Sequence, residues 1–236
     1  MNKDYKDPKI LCISMSEEPW KKQQAERHFQ NENLDVRFID GFYGPTLGVR
    51  PTNPFEDDEQ GKGKYIHATQ VGCYLSHLAA LKAALAFEWD EFIIVEDDVK
   101  FLPGFLLKWR KLRENLPEDA EIVQLEYTFG GDASSPDGVY DPVRRGEIEE
   151  VNNSVVRTRK YPYCTAAIWW KRRAAIRAMG LLKPVDKTLD TAMMMRVYPF
   201  TSHYLAWPFL ASQKSRTKEW ASSIGDAPKA EREQEN

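Results

Sequence analysis

Short apolar runs alternate with helical patterns along the first half of the chain. Residues 10–13 form an apolar run typical of a buried strand, and the alternation of apolar and polar residues over 34–40 predicts a second strand. Between these strands, Ser16 is predicted to cap a helix that ends near Asn31. The strand, helix, strand order indicates an α/β fold.

The next segment has the clearest helical periodicity. Apolar residues at spacings of three and four predict a helix over 69–87. Residues 92–95 follow as an apolar run without alternation, which is typical of a strand covered on both faces in a parallel sheet. Weaker patterns predict helices over 105–115 and 172–179, the second stopped by Gly180, and strands over 122–125, 166–170 and 204–207.

Length and composition predict a single domain. The 236 residues, 42% of them hydrophobic, are enough for one substantial core, which we place in residues 1–226. Residues 44–64 are rich in proline, glycine and acidic side chains and are predicted to form a mobile loop. Residues 130–138 are predicted to form a second loop, and the charged residues 227–236 a disordered tail.

Net charge and cysteine content indicate which classes of partner and which cellular compartment suit the protein. The net charge of −3 disfavours a general nucleic-acid binder, which needs a basic excess. No apolar stretch reaches the roughly 18 residues that cross a bilayer, and the charged N-terminus precedes too short an apolar segment for a signal peptide. The three cysteines fit reduced thiols better than a disulfide framework. We therefore expect a cytoplasmic protein without a transmembrane segment.

The acidic motif Glu96-Asp97-Asp98 directly follows the strand predicted over 92–95. In extended backbone Glu96 and Asp98 point to one face and Asp97 to the other. Two converging carboxylates at the carboxyl end of a strand suit Mg²⁺ or Mn²⁺, and an ion there would hold a diphosphate. The alternative is that the three acids cap the following turn or stay solvated.

A second motif, Gly72-Cys73-Tyr74-Leu75-Ser76-His77, lies in the helix before the acidic strand. Gly72 and Ser76 share a helix face and form a track of small residues that another backbone or a ligand can approach closely. His77 lies beside this track, and either a ligand-binding role or a buried, hydrogen-bonded role fits it.

Asp186 is the first candidate for a general base, and Asp190 is the second. If a helix begins after Pro184, the two aspartates lie on one face of it, and either one would reach an acceptor hydroxyl. The alternative is that Asp186 caps the helix.

Together these motifs resemble glycosyltransferase family 25, which includes lipooligosaccharide and collagen galactosyltransferases. The resemblance spans residues 10–224 in matching order. Its other matching positions are the opening strand, Phe38-Ile39-Asp40-Gly41, Val99 after the acidic motif, Pro184-Val185-Asp186, Pro208, Gln213, Ser215 and Ser223-Ile224.

The resemblance implies a GT-A-like, Rossmann-like fold with a mixed, mostly parallel sheet. It implies metal-dependent, inverting transfer of a hexose, galactose or glucose, from a UDP-sugar to a saccharide or glycoconjugate hydroxyl, as in lipopolysaccharide biosynthesis. On this template Asp98 is the direct metal ligand, with Glu96, and the donor contacts are Gly72, Ser76, His77, Glu96 and Asp97. Two alternatives stay open: a non-catalytic nucleotide-sugar or glycan-binding domain, and a metal nuclease using Asp98-Val99-Lys100.

Overall fold

The computed structural model of the chain describes residues 7–48, 66–128, 148–158 and 161–214. The loop predicted over 130–138, the tail predicted over 227–236, and the matching positions at 215 and 223–224 lie outside these residues. Within them, ten strands form one eight-stranded and one two-stranded sheet. The strands are β1 Ile10–Ser14, β2 Val36–Asp40, β3 Glu91–Glu96, β4 Val99–Phe101, β5 Ile122–Gln124, β6 Ile148–Asn152, β7 Val155–Thr158, β8 Ala167–Lys171, β9 His203–Ala206 and β10 Ala211–Gln213.

The large sheet is mixed, with strand order β2-β1-β3-β8-β5-β9-β7-β6. Strand β1 pairs in parallel with β2 on one side and with β3 on the other, which gives the first half of the sheet a Rossmann-like arrangement. Strands β7 and β8 run opposite to the other six. The predicted α/β class with a mixed, mostly parallel sheet is confirmed.

Helices cover both faces of this sheet. They are α1 Pro19–Asn31, α2 Ala68–Ala86, α3 Phe105–Asn115, α4 Arg172–Leu181 and the short α5 Leu189–Ala192. Helices α1 and α3 pack on one face, and α2, α4 and α5 pack on the other. Strand β3 contributes to both cores, with Ile93 and Val95 in one and Phe92 and Ile94 in the other. This confirms the prediction of a strand buried on both faces.

Three predicted helix boundaries are wrong. Helix α1 begins at Pro19, whose ring favours the first helical position, while the Ser16 hydroxyl donates to Glu17 and caps nothing. Helix α4 does not stop at Gly180, because the Leu182 amide still donates to the Ala178 carbonyl at 2.8 Å and the Leu182 side chain is buried. Helix α5 begins at Leu189, after Thr188 rather than after Pro184.

His203 in β9 is fully enclosed by the core. Its ring stacks on Tyr198, with centroids 3.9 Å apart, and its Nε2 lies 2.9 Å from Gln124 Oε1. The Gln124 amide nitrogen donates to the Cys164 carbonyl, so Gln124 Oε1 is the acceptor and His203 Nε2 carries the proton. The Nδ1 atom has no hydrogen-bond partner among the described residues. Burial lowers the pKa of His203 to about 3.

We expect the free energy of unfolding to fall as the pH drops from about 6.5 towards 3. The folded His203 stays neutral in this range because of its lowered pKa, whereas the unfolded chain binds a proton there. The loss from this group approaches about 1.4 kcal/mol per pH unit. Urea titrations at several pH values measure it. His203→Gln should flatten the slope, and the same change at the exposed His67 should not; an equal slope in His203→Gln contradicts the assignment.

Candidate active site

A cleft of about 110 Å³ opens at the carboxyl ends of β1 and β3. The strand order reverses at this place, because β2 and β3 lie on opposite sides of β1. Open α/β sheets bind ligands at such a point. The lining residues are Ile13, Ser14, Met15, Lys21, Phe42, Tyr43, Gly44, Pro45, Thr69, Cys73, Ser76, His77, Glu96, Asp97, Asp98 and Gln213.

All three acids of the predicted motif line this cleft. Glu96 ends β3, and Asp97 and Asp98 form the turn before β4. The prediction that Asp97 points away from Glu96 agrees with their contacts, because Glu96 Oε1 lies 3.1 Å from His77 Nε2 on α2. Asp97 instead accepts a hydrogen bond from the Ser14 hydroxyl at 2.8 Å.

Asp97 is a cleft carboxylate with a raised pKa. Burial raises its pKa to about 6, although the Ser14 hydrogen bond and the Lys21 charge act in the opposite direction. The neighbouring Glu96 charge adds to the increase. The cleft therefore concentrates negative charge in a poorly solvated space, which favours a cationic ligand.

His77 is buried and couples α2 to the acidic motif. Its Nε2 lies 3.1 Å from Glu96 Oε1, and the Thr165 hydroxyl lies 3.5 Å from the same oxygen. The structure shows the buried, hydrogen-bonded state of His77, and the ring also lines the cleft.

Gly72 and Ser76 hold one wall of the cleft against α2. A Cβ at Gly72 would lie 2.5 Å from the Phe42 carbonyl oxygen and 2.8 Å from the Gly44 nitrogen. The Ser76 hydroxyl donates to the Gly72 carbonyl and accepts from the Phe42 amide, both at 2.7 Å. The backbone of residues 42–44 is therefore what approaches the small residues of α2 closely, as one of the two predicted alternatives had it. Gly72 supports the cleft wall, and Ser76 both supports and lines it.

The wall continues into the segment predicted as a mobile loop over 44–64. Its first residues, Gly44–Leu47, form a 3₁₀ turn. Gly44 is buried, and a Cβ there would overlap the Ala68 carbonyl group at the start of α2. Residues 49–65 lie outside the described residues.

Gly72→Ala should destabilise the protein by about 1–3 kcal/mol, because the added methyl group meets backbone atoms that cannot rotate away. Gly180→Ala is the matched control, since it lies near the end of α4 and no atom lies within 4 Å of the position that its methyl group would take. The control should be neutral or stabilise slightly. Urea denaturation of both variants tests this, and equal stability of Gly72→Ala and wild type contradicts the packing argument.

The sequence reasoning missed several lining residues. Lys21 is only 4% exposed, and its ammonium group lies 2.8 Å from Glu18. Cys73 lies one helical turn before His77, and burial, followed by the charges of Glu96 and Asp190, raises the pKa of its thiol. A lysine two residues after Pro19 and a cysteine inside the helix motif were visible signals, but only the fold brings Lys21 near Asp97 and Cys73 near Glu96.

Asp186 does not lie among the cleft-lining residues of the described chain. Its carboxylate accepts from Arg196 at 2.5 Å, and its side chain is buried. Burial alone raises the pKa of Asp186, but the hydrogen bond and charge of Arg196, together with Lys187, outweigh it and leave the pKa below its ordinary value. This carboxylate is bound to arginine and is a weak base.

Asp190 opens α5 and also lies outside the set of described lining residues. One of its oxygens accepts from the Thr188 hydroxyl at 2.6 Å and from the Thr191 amide at 2.8 Å. Its charge contributes to the raised pKa values of the Cys73 thiol and of Tyr198.

The acid-lined cleft lies at the switch point of a Rossmann-like sheet, which is where α/β proteins with such sheets bind their ligands. The chain belongs to glycosyltransferase family 25, described as an LPS biosynthesis protein family, whose family model matches residues 7–193. The family resemblance seen in the sequence is thus confirmed.

Three relatives illustrate the range of this family. The chain is 28% identical to putative glycosyltransferase R655 of Acanthamoeba polyphaga mimivirus over 52% of the chain and 39% of the relative. It is 21% identical to procollagen galactosyltransferase 1-B of Xenopus laevis over 83% and 33%. It is 25% identical to probable inactive glycosyltransferase 25 family member 3 of Rattus norvegicus over 50% and 21%.

The chain thus spans 39% or less of the length of these three relatives. None of the helices in the described part of the chain combines the length and the hydropathy that crossing a bilayer requires. All three cysteines are free thiols.

Proposed function

We propose that this chain is an active hexosyltransferase that moves galactose or glucose from a UDP-sugar to a hydroxyl acceptor with inversion. The observation that carries the proposal is the cleft at the ends of β1 and β3, where three carboxylates and a buried lysine face one space. Family membership supports the transfer chemistry. The galactosyltransferase named among the relatives supports galactose as the sugar.

The oxygen atoms at the acidic end of the cleft are suitable ligands for a hard divalent cation. Carboxylate oxygens are the preferred ligands of Mg²⁺ and Mn²⁺, and Glu96, Asp97 and Asp98 supply them at one end of the cleft. We assign Asp98 and Glu96 as the residues that would hold the ion. When bound, the ion would neutralise charge on the leaving diphosphate.

The remaining cleft residues have complementary tasks. Lys21 offers a buried positive charge to the diphosphate, and its position beside Asp97 balances part of the acidic charge. The pair formed by His77 and Thr165 orients the Glu96 carboxylate. The wall made by residues 42–45 and supported by Gly72 shapes the space for the donor.

An inverting displacement needs a base on the side of the sugar opposite the diphosphate. Of the two aspartates, Asp190 is the better candidate. Asp186 is neutralised by Arg196, whereas the partners of Asp190 among the described residues are the neutral Thr188 hydroxyl and Thr191 amide.

The acceptor class is a saccharide or glycoconjugate, and the family description supports a lipopolysaccharide precursor. We place the reaction in the cytoplasm, and the three free thiols support a reducing compartment.

Release of UDP tests the proposal. The protein should release UDP from UDP-galactose or UDP-glucose in the presence of Mn²⁺ and a saccharide acceptor, and EDTA should stop the reaction. A DNA substrate run in parallel should stay intact. Failure to release UDP from either donor across an acceptor panel contradicts the assignment.

The second candidate is a domain that binds a nucleotide sugar without transferring it. The Rattus norvegicus relative, whose name includes the word inactive, supports it. Thermal shift separates the two, because a ligand at about 100 times its dissociation constant stabilises a protein by roughly 2.7 kcal/mol whether or not it reacts. Donor-dependent stabilisation without UDP release would favour the binding domain.

A further inference from the structure

Cys73, His77 and Glu96 form a mixed cluster of sulfur, nitrogen and oxygen donors in the cleft wall. Their ligand atoms all lie within 4.8 Å of one another. Cys73 and His77 are one helical turn apart on α2, so they project from the same face, and Glu96 meets them from the end of β3. All three residues line the cleft.

The sulfur, nitrogen and oxygen ligand atoms of this cluster differ from the all-oxygen ligands that the neighbouring carboxylates offer. Thiolate and imidazole are preferred by Zn²⁺, whereas Mg²⁺ and Mn²⁺ prefer oxygen. Zinc bonds of roughly 2.0–2.3 Å put two tetrahedral ligands roughly 3.5 Å apart. The His77–Glu96 separation of 3.1 Å and the 4.8 Å limit for the cluster bracket this value, so small side-chain movements are enough to enclose the ion.

We propose that Cys73, His77 and Glu96 form a Zn²⁺ site with its fourth position open to the cleft. Three protein ligands and one open position are the arrangement of zinc sites that take a water or a substrate oxygen. The proposal does not depend on glycosyl transfer.

Neighbouring residues hold the three side chains of the cluster in position. The Thr165 hydroxyl lies 3.5 Å from Glu96 Oε1, the oxygen that His77 also contacts. The hydrogen bond from Ser76 to the Gly72 carbonyl and the close backbone contact at Gly72 hold this part of α2 in place. Zn²⁺ binds cysteine as the thiolate, so it replaces the thiol proton on entering the site.

Glu96 belongs to this cluster and also to the ligands assigned to the donor cation. The residue unique to each set distinguishes the two ions, namely Cys73 for Zn²⁺ and Asp98 for the hard cation. Substitutions of these two residues therefore separate a failure of the zinc proposal from a failure of the proposed function.

Co²⁺ is the probe of choice, because it replaces Zn²⁺ and absorbs in the near ultraviolet when a thiolate binds it. Titration of the 236-residue chain with Co²⁺ should give this charge-transfer band with one-to-one stoichiometry. Zn²⁺ should abolish the band, and a large excess of Mg²⁺ should leave it. Cys73→Ser should remove the band and weaken Zn²⁺ binding at least about tenfold.

Two variants serve as controls. Cys164→Ser alters another partly buried cysteine, whose thiol donates to Gln213 and which is not one of the three proposed ligands, and it should keep the band. Asp98→Asn should also keep it while losing Mn²⁺-dependent donor binding. A wild-type protein without the band overturns the proposal, as does a band that persists in Cys73→Ser or disappears in Cys164→Ser. If Cys73→Ser does not fold, His77→Gln must weaken the band, and an unchanged band then overturns the proposal.

Discussion

Asp98→Asn is expected to weaken Mn²⁺-dependent binding of a UDP-sugar at least about tenfold and to reduce turnover accordingly. The substitution removes one anionic oxygen from the ligands assigned to the divalent cation and leaves the side-chain shape nearly unchanged. The protein should remain folded, because the Asp98 backbone carbonyl still accepts from the Lys214 amide at 2.9 Å. Isothermal titration of donor with and without Mn²⁺ measures the loss.

Asp40→Asn is the matched control. Asp40 ends β2, the strand next to β1 at the same edge of the sheet, but it is exposed and does not line the cleft. This variant should bind metal and donor like wild type. If Asp98→Asn also binds like wild type, the cation lies elsewhere and the assignment of the acidic motif is wrong.

Asp190→Asn is expected to lower turnover by about 10²–10⁴ while leaving donor affinity nearly unchanged. The reason is that a general base takes part only in the chemical step, and Asp190 is not one of the carboxylates assigned to the cation. Asparagine can still accept the hydrogen bonds from Thr188 and Thr191, so α5 should keep its first turn.

Asp186→Asn provides the contrast. It weakens the buried pair with Arg196 and should destabilise the fold by about 1–3 kcal/mol, with much smaller effects on turnover. Steady-state kinetics and urea denaturation of both variants separate the roles. If Asp186→Asn is fully stable but loses most of its turnover, and Asp190→Asn has normal activity, then Asp186 is the general base.

The acidic end of the cleft was predictable because its signals are local. An apolar run without alternation followed by three acids identifies a buried strand and the residues at its carboxyl end. The pair Gly72 and Ser76 was predictable in the same way, because a spacing of four on one helix implies a shared face. Sequence left open whether a ligand or backbone fills that track, and the structure shows the backbone of residues 42–44 there.

The rest depends on contacts between distant parts of the chain. Gln213 reaches the cleft through the antiparallel pairing of β10 with β4, more than a hundred residues apart in sequence. The environment of Asp97 depends on the Ser14 hydroxyl of β1, a partner 83 residues away in sequence. The behaviour of Asp186 depends on Arg196, a partner ten residues away in a segment without a regular helical pattern.

The position of β9 and β10 has a practical consequence for fragment design. A recombinant fragment trimmed to the family boundary at residue 193 would lose both strands. Strand β9 lies inside the large sheet between β5 and β7, so its removal would split the sheet rather than shorten an edge. The fragment would also lack Gln213 and the amide of Lys214 that holds the Asp98 carbonyl. The smallest fragment suited to crystallisation or binding assays therefore extends at least to residue 214.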